Sequence, residues 1–214
     1  MPELILYYFP VACSHVTVCA LEEAGLPYDL KLVNLAKGEQ GSEEYRQVNP
    51  VGKVPAMMID GELLTENVAI ISYIDALKPE AKLLGTDSSP RGRADAIGGL
   101  SFCSATLHPQ VRGILNPQRL TEGDPEAVRA MSKTLAAKSY AYAEARIAER
   151  GWWLGEWSIV DAYLQWTLSI ATLGGMDTSA FTNLADHLER LNQRPSIVRA
   201  RAVAAKAREE LGLG

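Results

Sequence analysis

At 214 residues, with 47% hydrophobic and 22% charged side chains, the chain is long enough for one large domain or two of about 100 residues, each with a sizeable core. The net charge of -5 argues against a nucleic-acid binder: Arg91 and Arg93, and later Arg199, Arg201, Lys206 and Arg208, are interrupted by apolar or acidic residues and read as solvated helix faces. No run approaches 18 consecutive apolar residues and the start Met1-Pro2-Glu3 lacks the basic opening of a signal peptide, so a cytoplasmic protein without membrane association is expected. Cys13, Cys19 and Cys103 are odd in number and fit neither a disulfide framework nor metal-ligand spacing, which leaves no metal site to expect and suits a reducing compartment.

Leu4 to Tyr8 is a short apolar run of strand formers ended by Phe9-Pro10. Val16, Ala20, Leu21 and Ala24 then recur at helical spacing until Gly25 stops them. Tyr28 to Val33 alternates and reads as a second strand, giving a β-α-β unit whose parallel strands require a right-handed crossover. Pro55 to Ile59 and Leu63-Leu64, separated by Asp60-Gly61, form a hairpin. A helix from Glu66 to Leu77 closes an α/β module of residues 1–80. A turn-rich linker, 81–89, leads into Ala-rich helical patterns over roughly 90–115, 124–150, 158–173, 178–193 and 196–211, so residues 90–214 are expected to form an all-helical domain. Within it Ser158-Ile159-Val160-Asp161 has the spacing of a capping box and is a folding element.

Chemistry concentrates in the first module. Asn49-Pro50-Val51-Gly52-Lys53-Val54-Pro55 is followed by Leu64-Thr65-Glu66-Asn67, coupling a turn-bound Val-Pro to an acidic helix start. A cis Val54-Pro55 bond would turn the Val54 backbone outward, where its N–H and C=O can pair with an extended ligand as an added strand does. Thr65, Glu66 and Asn67 precede the apolar run Val68, Ile70, Ile71, Ile74, Leu77. The unpaired N–H groups and positive dipole of that helix start suit a ligand carboxylate, and Glu66 adds an acceptor for an ammonium. The same residues also read as plain capping by Thr65, with Glu66 complementing the dipole. Together they suggest a site for a small zwitterionic peptide.

Taken in order, Val54-Pro55, Glu66-Asn67 and the Ser158 to Asp161 box resemble the cytosolic glutathione transferase superfamily, along nearly the whole chain. The resemblance implies a thioredoxin-like α/β N-terminal domain and an all-α C-terminal domain. The start Leu6-Tyr7-Tyr8-Phe9-Pro10-Val11-Ala12-Cys13-Ser14 is most similar to the bacterial beta class, and Thr106-Leu107-His108-Pro109 resembles that class's second-domain histidine. Asn67 departs from the commoner Ser, and Pro109 from the usual Lys.

The resemblance implies an enzyme that takes glutathione as co-substrate and transfers its thiolate to a hydrophobic electrophile, a detoxification chemistry, acting as a homodimer. Lys53, Val54, Pro55, Glu66 and Asn67 would bind glutathione. A free thiol titrates near ~8.5 and must be held as the anion. Cys13 and Ser14 at the first helix start, Tyr8 in the strand before it, and His108 are the candidates for that task. Cys13 also reads as a small buried residue and Ser14 as an ordinary helix-start cap. Phe9, Val11, Leu107, Val111, Leu115 and Trp166 are candidates for the electrophile's wall, or equally for core. Two alternatives keep the fold: a glutathione-dependent thiol reductase, isomerase or ether-cleaving enzyme using Cys13, and a non-catalytic interaction module.

Overall fold

In chain order the elements are β1 (Leu4–Tyr8), α1 (Ser14–Ala24), β2 (Asp29–Leu32), α2 (Glu43–Val48), β3 (Ala56–Ile59), β4 (Glu62–Thr65), α3 (Asn67–Leu77), α4 (Pro90–Ser101), α5 (His108–Leu115), α6 (Pro125–Arg150), α7 (Ile159–Leu173), α8 (Thr182–Asn192) and α9 (Pro195–Glu210). This computed structural model describes residues 1–213. Two compact units emerge, Met1–Leu83 with the segment from Arg194 onward, and Leu84–Gln193. The division into an α/β part and a helical part is as the sequence leads one to expect. The helical run of 90–214, however, does not stay together: α9 packs on α1 in the first unit. α9 buries Ile197, Ala200 and Ala207, and two acidic residues on α1 add polar ties. The Arg194 guanidinium and Ser196 hydroxyl meet the Glu23 carboxylate, and Arg199 Nε lies 2.7 Å from Glu22 Oε2.

The sheet of the first unit has the order β2-β1-β3-β4. β1 and β2 are parallel with Ile5 opposite Asp29, whereas β3 runs antiparallel to both β1 and β4. Gly25 ends α1 in the left-handed region, at φ 61°, its N–H on Leu21 O, which frees the chain to turn back into β2. Asp60 (φ 49°) and Gly61 (φ 86°) have the two positive φ values that a tight hairpin requires. The sequence reading missed α2. It has only six residues, but Ser42 caps it through the Tyr45 N–H at 3.1 Å, and Glu43 and Glu44 occupy its first turn, a start signal legible in principle.

Alternation along β1 sorts its side chains onto two faces. Tyr7 and Phe9 join Val33, Tyr45, Val54 and Ala56 in one buried cluster. Tyr8 faces the other way, fully buried, with its hydroxyl 3.4 Å from His15 Nδ1 on α1.

In the second unit α7 is apolar on nearly every side and buried along most of its length. The expected capping box forms at its start. Asp161 is fully buried and its carboxylate accepts the Ser158 N–H (2.8 Å), the Trp153 N–H (2.8 Å) and His187 Nε2 (2.9 Å). Gln165 Nε2 donates to Leu184 O at 3.0 Å and to His187 Nδ1 at 2.6 Å, which leaves the proton of the neutral imidazole on Nε2, toward Asp161. The expected single helix over 90–115 is instead α4, a π-helical turn over Phe102–Leu107, and α5. Pro109 is the physical reason: it lacks an N–H and its ring crowds the carbonyl a turn earlier, so the backbone widens there rather than breaking.

Two outcomes follow from these buried groups. Asp161→Ala strips four donors of their acceptor, the Ser158 hydroxyl (3.1 Å) being the fourth, and we expect about 3–5 kcal/mol lower stability in urea unfolding; a loss below about 1 kcal/mol would show the network to be dispensable. Burial, with Arg201 and Arg208 nearby, pushes the His15 pKa down to about 4. Since an unfolded histidine titrates near ~6.5, acid protonates the unfolded chain first. The contribution of neutral His15 is therefore intact above about pH 6.5 and lost as pH falls toward 4, by an amount on the order of 2–3 kcal/mol. Unfolding midpoints measured from pH 7.5 to 4.5 should fall less steeply in His15→Gln.

Candidate functional site

Cys13 stands at the N-terminal cap position of α1, at φ -60° and ψ -12°, and no side chain caps that helix. The thiol is thus at the positive end of the α1 dipole, the environment that favours a thiolate. It is 7% exposed, and its Sγ is 3.8 Å from the Val54 carbonyl oxygen. The turn that delivers it from β1 is fastened by the Ala12 N–H on Phe9 O at 3.0 Å. Ser14 tightens that turn, its hydroxyl donating to Phe9 O and accepting from the Phe9 N–H, both at 3.1 Å.

The Val54-Pro55 peptide is cis, the form that the family resemblance implies. Its approach is fixed from α2: the Tyr45 hydroxyl donates to Lys53 O at 2.7 Å and Asn49 Nδ2 to the same oxygen at 2.8 Å. Gly52, at φ 65°, sits so close to Gln40 that a Cβ there would lie 2.7 Å from the Gln40 carbonyl oxygen, so glycine alone fits. The Lys53 side chain itself is exposed.

Glu66, not Thr65, occupies the N-terminal cap position of α3, and no side-chain hydrogen bond caps it. The expected Thr65 cap does not form because Thr65 is the last residue of β4, paired with Ala56. Glu66 turns the corner at φ 68° and ψ 120° with its carboxylate exposed beside the positive end of α3. The Asn67 side chain is buried and fully committed. Its Oδ1 accepts from Thr17 Oγ1 at 2.7 Å and its Nδ2 donates to the Cys13 carbonyl at 2.8 Å. Any ligand contact from Asn67 is therefore left to its backbone N–H.

A closed circuit results. Cys13 touches Val54, the cis Pro55 leads into β3, β3 pairs with β4, β4 delivers Glu66, and Asn67 returns to Cys13. Phe9 and Val11 lie close by, in and against the cluster that contains Val54.

Other expected residues are elsewhere. Tyr8 is buried against α1, where burial pushes its phenol well above the usual range, so it is no donor to a thiol beside Cys13. Ser14 is fully buried with its hydroxyl committed to Phe9, so its task is the turn. In the helical unit Leu107 and Val111 are fully buried and line no surface. Leu115 is half-buried, and Trp166 is 8% exposed. His108, directly after the π-helical turn, has Nδ1 3.5 Å from the Tyr163 hydroxyl and packs edge-on to Trp166, with ring centroids 4.7 Å apart. Tyr45 and Asn49, which hold Lys53, were missed together with α2.

Residues 2–76 match the family model described as the glutathione S-transferase N-terminal domain. The chain is 30% identical over 195 residues to glutathione S-transferase GstA of Escherichia coli O157:H7, covering 90% of this chain and 94% of that one. A maleylacetoacetate isomerase of Pseudomonas aeruginosa is 32% identical over 187 residues, covering 85% and 87%. Among solved structures, a bacterial beta-class glutathione S-transferase of Sphingomonas chungbukensis superposes with a TM-score of 0.82 at 32% identity, covering 94% and 98%. A glutathione transferase homolog from Sulfitobacter with bound glutathione gives 0.86 at 27% identity, covering 94% and 98%. With the α/β unit, the cis-proline and the acidic helix start all in place, this chain belongs to the glutathione S-transferase family of enzymes.

Proposed function

We propose that the protein binds glutathione in the first unit and conjugates its thiolate to a hydrophobic electrophile. The circuit joining Cys13, Val54-Pro55 and Glu66-Asn67 carries this reading, because it gathers the complementary groups for each end of one small peptide. The Val54 backbone meets the peptide's extended centre. The γ-glutamyl ammonium pairs with the Glu66 carboxylate and its α-carboxylate with the first N–H groups of α3. Lys53 reaches the glycyl carboxylate. The sulfur then comes to rest beside Cys13, where the α1 dipole favours the anion over the neutral thiol and raises the fraction competent to attack.

A second reading has its own support. Cys13 stands at a helix N-terminus within 3.8 Å of the Val54 carbonyl, and one relative carries an isomerase name. A thiol so placed can form a mixed disulfide with glutathione and serve a reductase, isomerase or ether-cleaving reaction. The two differ in what Cys13→Ala does: conjugation survives it, and Cys13-dependent chemistry ends with it. The family resemblance further implies a homodimer.

Calorimetric titration of the reduced protein with glutathione should give one equivalent per chain. Glu66→Gln should weaken it by about tenfold or more, the worth of a charge-assisted contact. No heat at millimolar ligand would dispose of both enzyme readings and leave the interaction module. Light scattering should report about twice the 23.3 kDa of one chain; a mass near one chain would rule out the dimer.

A further inference from the structure

Thr17 stands four residues after Cys13, on α1, and is fully buried. A helical threonine commonly turns its hydroxyl back onto the carbonyl four residues earlier, which here is that of Cys13. The Asn67 carboxamide is inserted between the two groups: Thr17 Oγ1 donates to its Oδ1 at 2.7 Å, and its Nδ2 donates to the Cys13 carbonyl at 2.8 Å. The Cys13 oxygen can only accept, so the amide nitrogen must face it. The amide oxygen is left for Thr17, whose hydroxyl is therefore the donor. The same Cys13 carbonyl takes the Val16 N–H at 3.0 Å, so two donors draw on the carbonyl of the residue that carries the thiol. A carbonyl dipole disfavours an anion beside its oxygen, and each donor on that oxygen withdraws part of its negative charge.

We propose that Thr17 is a positioning residue for the thiol site: its hydroxyl holds the Asn67 amide against the Cys13 carbonyl, and through that contact it sets the reactivity of the sulfur at the start of α1. Being fully buried, it meets no ligand and acts only through Asn67. The inference rests on the glutathione reading above, in which a sulfur, the ligand's or that of Cys13, must be an anion at this turn. Valine in place of Thr17 keeps the shape and removes the donor. The buried Oδ1 of Asn67 is then unpaired, and the amide turns toward other donors and loosens its hold on the Cys13 carbonyl.

The test is the pH dependence of Cys13 alkylation by iodoacetamide on the folded, reduced protein, followed by peptide mass spectrometry so that the buried Cys19 and Cys103 are counted apart. It is run on wild type, Thr17→Val and Thr17→Ser. In Thr17→Val the profile should move to higher pH by about half to one unit, with a rate about three- to tenfold slower at pH 7. Thr17→Ser returns the hydroxyl without the methyl and should bring the rate back to within about twofold of wild type, even where urea unfolding shows it to be as destabilised as Thr17→Val. A threonine with only a structural role predicts that both variants shift alike, or that stability falls and neither profile moves. Either result, or a Cys13 that resists alkylation in the folded wild-type chain, overturns the proposal. Calorimetry with glutathione on the wild-type chain separates the two readings: binding together with coincident alkylation profiles ends this inference alone, whereas no binding ends the glutathione reading and this one with it.

Discussion

The Asn67 side chain, shut between the Cys13 carbonyl and the Thr17 hydroxyl, is the constraint on which the rest of the site depends. One amide ties the first turn of α1 to the first turn of α3, so the positive ends of two helices are held beside the cis-proline edge of the sheet. Neither helix end is capped by a side chain. In most proteins a cap is worth about 1 kcal/mol, and leaving two of them out at one place keeps backbone donors and dipole available to an anionic partner. The buried amide, satisfied at both ends, supplies the rigidity that the absent caps do not.

Seen this way, the first unit divides its labour by face. On the α1 side of β1, Tyr8 is fully buried and meets the half-buried His15 of α1. On the other side Tyr7, Phe9 and Val54 carry the apolar floor, with Tyr45 bracing the Lys53 carbonyl from α2. Successive residues of one strand thus have unrelated tasks, which is the direct result of the two-residue period of a strand. A cysteine one turn beyond the strand touches both: its carbonyl is held through Asn67, and its buried sulfur lies against the Val54 carbonyl.

Much of this was legible in the sequence. The β-α-β unit, the Asp60-Gly61 hairpin and the Ser158 to Asp161 box each carry a local signal, a period or a turn residue with one physical meaning. Cys13, Val54-Pro55 and Glu66 could be picked out because their chemistry depends on backbone geometry that proline and helix starts announce. What could not be read was orientation and long-range pairing. Tyr8 and Tyr7 are equivalent in composition and differ only by the face of the sheet they occupy. Ser14 and Asn67 have polar side chains suited to a ligand, and only the fold reveals that buried neighbours claim them first. Leu107 and Val111 have the apolar character of a pocket wall, yet both are interior. Thr65 looks like a cap until β4 takes it. The allegiance of α9 to the first unit involves contacts with Glu22 and Glu23, more than 170 residues away in the chain, beyond the reach of any local pattern.

That allegiance bears on synthesis. The first unit is interrupted by residues 84–193 and completed only by the segment that follows Arg194. A ribosome emits the sheet and α1 well before the helix that covers α1, so the N-terminal unit waits with one flank of α1 bare while the helical unit, contiguous in sequence, is made. Closure of the unit that carries Cys13 is thereby tied to synthesis of the segment that follows Arg194.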